Sequence, residues 1–475
     1  MKKASFLACF FLFIFIASCA VNPVTGKREL SLISENQEIA LGKETDKEIR
    51  IQYGIYDDPS LNKYVEGVGM KLVPHAHRPH LTYHFSVLDT PVVNAFAVPG
   101  GYIYVTRGIL AMMNTEAELA AVLGHELGHV NARHSVMRIS KMLLIQLGLA
   151  VGGALSETFA KISGVASLGI QLLFLKYSRD DEREADALGV EYSRKGGFNP
   201  GEMVNFFASL QKMGDFSKGA TLPGFLSTHP LTPERIRNVK TMLQDEDSLL
   251  LILHRSYLNH INNIVFGNDP RQGYVEEDTF YHPQLRFFFF FPKEWTLKNN
   301  PSQVILASKD GNAALILQAE KSSEKLSDYA QKKTAAIEGK QFLREQNLTI
   351  NSMSAYQQLF DVAREEKESL RLQLTCIKKG SYIFSFTALS TFFDFKKYDF
   401  QFQSIVRSFN ELKDKTCLNR KPKRIKLIQA SGRETLGEIF QKAGMNKDLW
   451  PKIAIMNSME LNQTPEHNQL IKIVK

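Results

Sequence analysis

Hydrophobic positions change their spacing several times along the chain. Between Glu35 and Tyr53 they recur at helical spacing, and short β-rich runs follow at Tyr83–Leu88 and Tyr102–Thr106. From about Thr115 to Phe266 the pattern is mainly helical. Thr115 and Glu118 predict a capping box, with Leu119, Val122, Leu123, Leu127 and Val130 forming an apolar stripe behind it. Ile139–Leu175 is unusually apolar, yet its longest uncharged run, Met142–Ser156, is shorter than a membrane span. It predicts core or site-covering helices, with membrane-surface contact as the lesser alternative.

Gly267–Gly273 is dense in turn formers and predicts a linker. A different texture begins near Thr279. Phe287–Phe291 is five consecutive phenylalanines, read as a buried strand rather than a ligand groove. Alternating or apolar runs follow at Ala313–Gln318, Leu370–Ile377, Tyr382–Ala388 and Phe400–Ile405, with a helical stretch at Leu326–Ile337. Asn419–Lys426 is a basic linker, and Ile425–Val474 then reads strand, helix, helix, strand. The expected architecture is multidomain α+β: a mainly helical domain over 19–266, a sheet-plus-helix domain over 279–412 and a βααβ module over 425–475. A chain of 475 residues is too long for one core.

Composition adds little until the N-terminus is read. With 44% hydrophobic and 23% charged residues the chain is globular rather than disordered. The net charge of +8 favours anionic lipid, lipopolysaccharide or cell wall, and no nucleic-acid module is visible. Lys2 and Lys3 precede an apolar run from Phe6 to Ala17, and Ile16-Ala17-Ser18-Cys19 resembles a bacterial lipobox. That resemblance implies a signal peptide over 1–18, lipid on Cys19, and a periplasmic location. Ala20 in place of aspartate implies sorting to the outer membrane. An uncleaved anchor is the alternative. Of the other cysteines, Cys9 lies in the signal, while Cys376 and Cys417 either pair or remain free thiols.

The chemistry concentrates at Thr115–Val130, TEAELAAVLGHELGHV. His125 and His129 stand at i and i+4, so both imidazoles leave one helix face and can share a tetrahedral zinc. Glu126 lies between them, placed to act on water rather than to bind metal. An exposed polar face is the bland alternative, but this helix is apolar, and unpaired buried histidines would be costly. Gly124 and Gly128 each cost about 1 kcal/mol against alanine in mid-helix, which implies that something packs closely there. A catalytic zinc needs a third protein ligand. His134, five residues past His129, would sit about 140° round the same helix and face elsewhere. A second capped helix opening at Ser178 carries Glu182 and Asp186, again at i and i+4. Glu182 can supply the third ligand, and Asp186 can accept the other N–H of a ligating histidine. The bland reading of this run is an acidic solvated face.

HELGH followed by EREAD resembles the M48 family of zinc metallopeptidases. NPVTGKREL, QYGIYDDPSL, NAFAVPGGYIYVTRGIL and STHPLTPERI resemble segments of its periplasmic members, over about residues 21–265. The resemblance implies one zinc per chain on His125, His129 and Glu182, with Glu126 as the catalytic glutamate and unfolded or extended polypeptide as substrate. It also implies that His229 is a switching fourth ligand; a loop histidine bonded to a carbonyl is the alternative. No tetratricopeptide-repeat period is visible. The Tyr102–Thr106 strand is expected as a sheet edge onto which extended substrate adds. His75, His77, His80 and His84 read as surface residues.

Residues 279–412 resemble PsbP-like domains in their FxFPxxW start. Gly432, Thr435-Leu436, Ile439, Ile455-Met456-Asn457 and Leu470–Ile473 resemble LysM positions, although Gly432-Arg433 replaces the usual Gly-Asp. That second resemblance implies contact with peptidoglycan. Two rival readings are a non-proteolytic chaperone or scaffold and a cell-wall-binding lipoprotein.

Overall fold

The computed structural model describes residues 19–149, 176–216, 224–364 and 367–475. The expected signal segment, and the apolar stretch from 150 to 175, lie outside the described residues. The chain divides into two units: Met1–Gly267 together with Lys423–Lys475, and Asn268–Pro422.

In the first unit β1 (Cys19–Val21) pairs antiparallel with β2 (Arg28–Leu30). Helix α1 (Glu35–Tyr53) starts at Ser34, which exchanges hydrogen bonds with Gln37 in a capping box. Its Glu38 carboxylate is buried against the Arg78 guanidinium at 2.8 Å, so neither charge is left alone in the interior. Helix α2 (Pro59–Leu72) begins on an Asp58 cap with Pro59 in its first turn. A three-stranded sheet follows, of β3 (His84–Leu88), β4 (Ala95–Val98) and β5 (Tyr102–Thr106), in the order β3-β5-β4. The Tyr102–Thr106 strand is therefore central, not an edge. It pairs parallel with β3 and antiparallel with β4, so β4 presents the outer edge. The Gly100-Gly101 turn, with φ of 80° and 96°, folds β5 back along β4 and leaves β3 free to take its other side.

Helix α3 (Arg107–Met112) leads into α4 (Glu116–Asn131). Thr115 caps α4 by accepting the Glu118 N–H at 3.0 Å, but the Glu118 carboxylate reaches the Asn114 N–H instead of Thr115. The expected box is thus half present, shifted by one residue on its return arm. All of α4 is buried. Helix α5 (His134–Leu149) follows after a break, and α6 (Arg179–Lys195) opens on a complete Ser178–Asp181 capping box. A Cβ on Gly124 would lie 3.1 Å from the Gly189 carbonyl of α6, and one on Gly128 would lie 3.1 Å from Leu188 Cβ. The mid-helix glycines are thus where two helix backbones touch. Helices α7 (Glu202–Phe216), α8 (Gly224–Thr228), α9 (Pro233–Met242) and α10 (His254–Ile261) complete this part.

In the second unit β6 (Tyr274–Glu276), β7 (Thr279–His282) and β8 (Phe287–Phe290) share a four-stranded sheet with β16 (Asn410–Glu411). The phenylalanine run alternates: Phe287, Phe289 and Phe291 are buried, whereas Phe290 is half exposed. A seven-stranded antiparallel sheet spans Thr296–Thr391, flanked by α11 (Leu326–Thr334) and α12 (Phe395–Ser408). Cys376 is buried, its thiol pushed up to about 12 by burial, and both Cys376 and Cys417 are free thiols.

The tail returns to the first unit. After the single turn α13 (Lys415–Leu418), β17 (Ile425–Gln429), α14 (Leu436–Lys442), α15 (Trp450–Met456) and β18 (Leu470–Val474) follow in the expected strand–helix–helix–strand order. Leu436, Phe440, Ile453, Ile471 and Ile473 pack into the same hydrophobic cluster as Leu110, Met113 and Leu119. The buried Lys472 ammonium donates to the carbonyls of Ala111 (3.0 Å), Met112 (3.4 Å) and Met113 (2.9 Å), capping α3. Among the described residues no helix is long and apolar enough to cross a membrane.

The close contact of α4 and α6 makes Gly128 intolerant of bulk. Gly128→Val is expected to lower stability by about 1–3 kcal/mol, read as a drop in thermal unfolding midpoint. An unchanged midpoint would mean the helices are not held this tightly.

Candidate metal centre

The glycine contact sets two helix faces against each other, and each brings a pair of polar side chains one turn apart. His125 and His129 project from α4; Glu182 and Asp186 project from α6. His229 enters from the end of α8, its N–H bonded to the Phe225 carbonyl at 2.8 Å. His125, His129, Glu182 and His229 each offer a ligand atom within 4.8 Å of the others, and all four are buried.

The separations discriminate a metal site from a hydrogen-bonded cluster. His125 Nε2 lies 3.1 Å from His129 Nε2 and 3.3 Å from His229 Nδ1. Glu182 Oε1 lies 2.9 Å from His229 Nδ1 and 3.6 Å from His129 Nε2. Ligands about 2.0–2.1 Å from a tetrahedral zinc stand about 3.3–3.4 Å apart along each edge, within this spread. Three imidazole nitrogens and a carboxylate oxygen converging on one point leave more lone pairs than protons to fill them. The donor set therefore fits one zinc-like cation.

Glu126 sits beside this set and binds nothing in it. Among the described residues both of its carboxylate oxygens are buried without a close hydrogen-bond partner, as is His229 Nε2, 3.6 Å from Glu126 Oε1. Burial pushes the Glu126 carboxyl above its usual range, against the pull of His229 and His125. Burial, reinforced by the neighbouring histidines, holds His129 well below the usual imidazole range, so it presents a lone pair. Burial also raises Glu182 and Asp186, but nearby cations outweigh it and keep both carboxyls below their usual range.

His229 leads that pull on Glu182, and Arg235 on α9 leads it on Asp186. The Arg235 Nε and Nη2 form a fork on Asp186, both at 2.7 Å, while Nη1 reaches Glu182 Oε2 at 2.5 Å. Asp186 Oδ1 in turn lies 3.0 Å from His125 Nδ1, close enough for a carboxylate to orient a histidine ligand although the pair is not aligned as a hydrogen bond. Arg235 escaped the sequence reading although it lies in the STHPLTPERI run. Its role depends on α9 crossing α6, which no local pattern announces.

His134 lies where helical spacing did not put it, and Tyr177 is a further residue of the site that the sequence pattern did not announce. His134 does not continue the α4 spiral. The helix ends at Asn131, and Arg133 turns left-handed at φ 57°, held by Glu38 at 2.9 Å and the Ile33 carbonyl. This break returns His134 towards His129, with their Nδ1 atoms 2.8 Å apart. Tyr177, just before α6, stacks on His129 with ring centroids 3.8 Å apart, and Arg138 covers it at 3.9 Å. By contrast, the four histidines near residue 80 do not converge. His77 bonds Tyr192, His80 faces Glu35 and His84 stacks on Tyr102.

Comparison with known proteins places this geometry. Residues 59–243 match Peptidase family M48. The Beta-barrel assembly-enhancing protease of Yersinia pestis is 31% identical over 227 residues, 46% of this chain and 46% of that protein. The Escherichia coli K12 protein of that name is 28% identical over 235 residues, 48% of each chain. The Mitochondrial metalloendopeptidase OMA1 of Schizosaccharomyces pombe is 30% identical over 229 residues, 47% of this chain and 66% of that one. The chain thus spans about half the length of the bacterial relatives. Among solved structures, cyanobacterial PsbP from Synechocystis is similar to 28% of this chain and 91% of its own, at 9% identity and a TM-score of 0.24. The helices that carry the donor set, from Glu116 to Lys195, fall inside the matched region, and this chain carries a peptidase family M48 domain.

Proposed function

We propose that this chain is a zinc-dependent endopeptidase of the bacterial cell envelope, acting on misfolded or unassembled envelope proteins. The observation that carries the reading is a buried carboxylate, Glu126, with no close side-chain hydrogen-bond partner among the described residues, beside four converging donors. His125, His129 and Glu182 would hold the zinc, which supplies Lewis acidity that polarises a carbonyl oxygen and acidifies water near neutral pH. Glu126 takes the proton of the attacking water and delivers it to the leaving amine nitrogen. Its burial raises proton affinity, which suits a group that must accept and then return a proton. Asp186, braced by Arg235, holds the His125 ring in orientation.

The outer strand of this sheet is β4 rather than β5, and its four residues are buried in this closed arrangement. Helix α4 packs beside β4, and the Ala97 amide contributes a minor attraction to the Glu126 carboxylate. An extended peptide that pairs with the outer edge of β4 is bound through its backbone, with little side-chain reading. That suits unfolded chains. The envelope assignment is supported by the lipobox-like N-terminus, with Cys19 as lipid carrier to the outer membrane, and by the similarity to bacterial proteases named for β-barrel assembly. Peptidoglycan contact through residues 425–475 and a PsbP-like class for 279–412 rest on sequence resemblance.

His229 completes a four-donor set. A catalytic zinc keeps one position open, so the arrangement with His229 in place is a latent one. Phe225 stacks on His229 with centroids 4.7 Å apart and Tyr177 at 5.2 Å, sealing the donors from solvent. Opening moves the segment around His229 away from Glu182.

The reading yields two expectations. Purified protein binds one zinc, and free zinc at a hundred times Kd raises unfolding stability by about 2.7 kcal/mol, reversed by chelator. Glu126→Gln keeps that zinc but lowers casein cleavage by at least about 10²-fold; equal cleavage by both proteins would remove Glu126 from the chemistry and favour the scaffold reading. Separately, His229→Ala raises basal cleavage of an unfolded substrate while zinc stays bound. Unchanged cleavage would show that His229 does not hold the site closed.

A further inference from the structure

The two histidines of α4 are anchored differently. His125 Nδ1 faces a carboxylate, Asp186, in the usual manner. His129 Nδ1 faces another imidazole: His134 Nδ1, at 2.8 Å. The far nitrogen of that ring, His134 Nε2, lies 3.3 Å from Glu184 Oε2 and 3.8 Å from Asp181 Oδ1. His134 is buried, and Glu184 Oε1 is buried with no partner of its own.

Only one proton arrangement satisfies this chain while His129 Nε2 offers its lone pair to a cation. His129 must carry its proton on Nδ1 and donate it. His134 must then accept on Nδ1, carry its own proton on Nε2, and donate that to Glu184. With both rings neutral, the reverse arrangement puts a proton on His129 Nε2, pointing at the other donors, and turns the His134 Nε2 lone pair towards a carboxylate. Glu184 therefore biases both rings towards the state that can bind metal.

We infer that His134, oriented by Glu184, is a positioning residue that sets the tautomer of His129 and so the zinc affinity of the site. The inference rests on the metal reading proposed above. It follows from the left-handed turn at Arg133, which alone brings the ring back to His129. The outer partners of histidine ligands typically contribute about 10–100-fold in metal affinity. An imidazole partner orients His129 without adding a further carboxylate to a site that already holds Glu126, Glu182 and Asp186.

The test is zinc affinity of the full chain, measured by competition with a fluorescent chelator, for wild type, His134→Leu, His134→Asn and Glu184→Leu. Asn places its side-chain oxygen near the position of imidazole Nδ1 and keeps the acceptor; Leu does not. His134→Leu is expected to raise the zinc Kd by about 10–100-fold. His134→Asn restores most of that loss, and Glu184→Leu shifts Kd in the same direction by less. Unfolding midpoints of the metal-free Leu and Asn variants should be similar, which separates positioning from loss of fold. Wild-type affinity in His134→Leu overturns the inference, as does an Asn variant as weak as Leu. If His134→Leu does not fold, unchanged affinity in Glu184→Leu overturns it. Failure of wild type to bind zinc overturns the metal reading itself and is seen before any variant is compared.

Discussion

Everything at the centre depends on the backbones of α4 and α6 being allowed to touch. Gly124 and Gly128 on one helix meet Gly189, Leu188 and Ala185 on the other, with no room for an added methyl without displacement. At that separation two i, i+4 pairs, each unremarkable alone, interleave. His125 reaches across to Asp186, and His129 approaches Glu182. The cost of glycine within each helix, about 1 kcal/mol apiece, is offset by the contact it permits.

That contact also buries a concentration of charge that water would otherwise solvate. Glu126, Glu182 and Asp186 lie together in the interior, and the Arg235 guanidinium spans two of them. A bidentate guanidinium can satisfy a carboxylate's geometry as well as its charge, which a lysine could not do at the same position. The third carboxylate has no close side-chain hydrogen-bond partner among the described residues, at a cost of about 1–3 kcal/mol for each unsatisfied group. The surrounding core therefore sustains a site that is locally unfavourable. The stacked rings of Phe225, His229 and Tyr177 keep it dry.

The local signals in the sequence were sufficient for this much: helix starts at Thr115 and Ser178, the paired side chains on two helices, and the meaning of mid-helix glycines. They failed wherever the answer depended on a turn or on a crossing. The position of β5 between β3 and β4 is set by the Gly100-Gly101 reversal and by a parallel pairing, neither of which a strand's own pattern encodes. His134 was misplaced because a spiral was extended through Arg133, whose left-handed conformation is fixed by Glu38, almost a hundred residues earlier in the chain. Arg235 was passed over because its partners lie on another helix. The alternating burial of the phenylalanine run, by contrast, follows directly from strand geometry.

The ammonium of Lys472 reaches into the first unit from three residues before the C-terminus and closes off a helix that precedes the HELGH segment. During synthesis, then, the helices bearing the donors emerge long before the strand that seals their base, with all of residues 268–422 made in between. Closing so long a loop adds little thermodynamic cost, because loop entropy grows only logarithmically with length. Kinetically it matters more. The helix that Lys472 caps is made before residues 268–422, and its cap is made after them, so this contact forms only once both parts of the first unit have been synthesised.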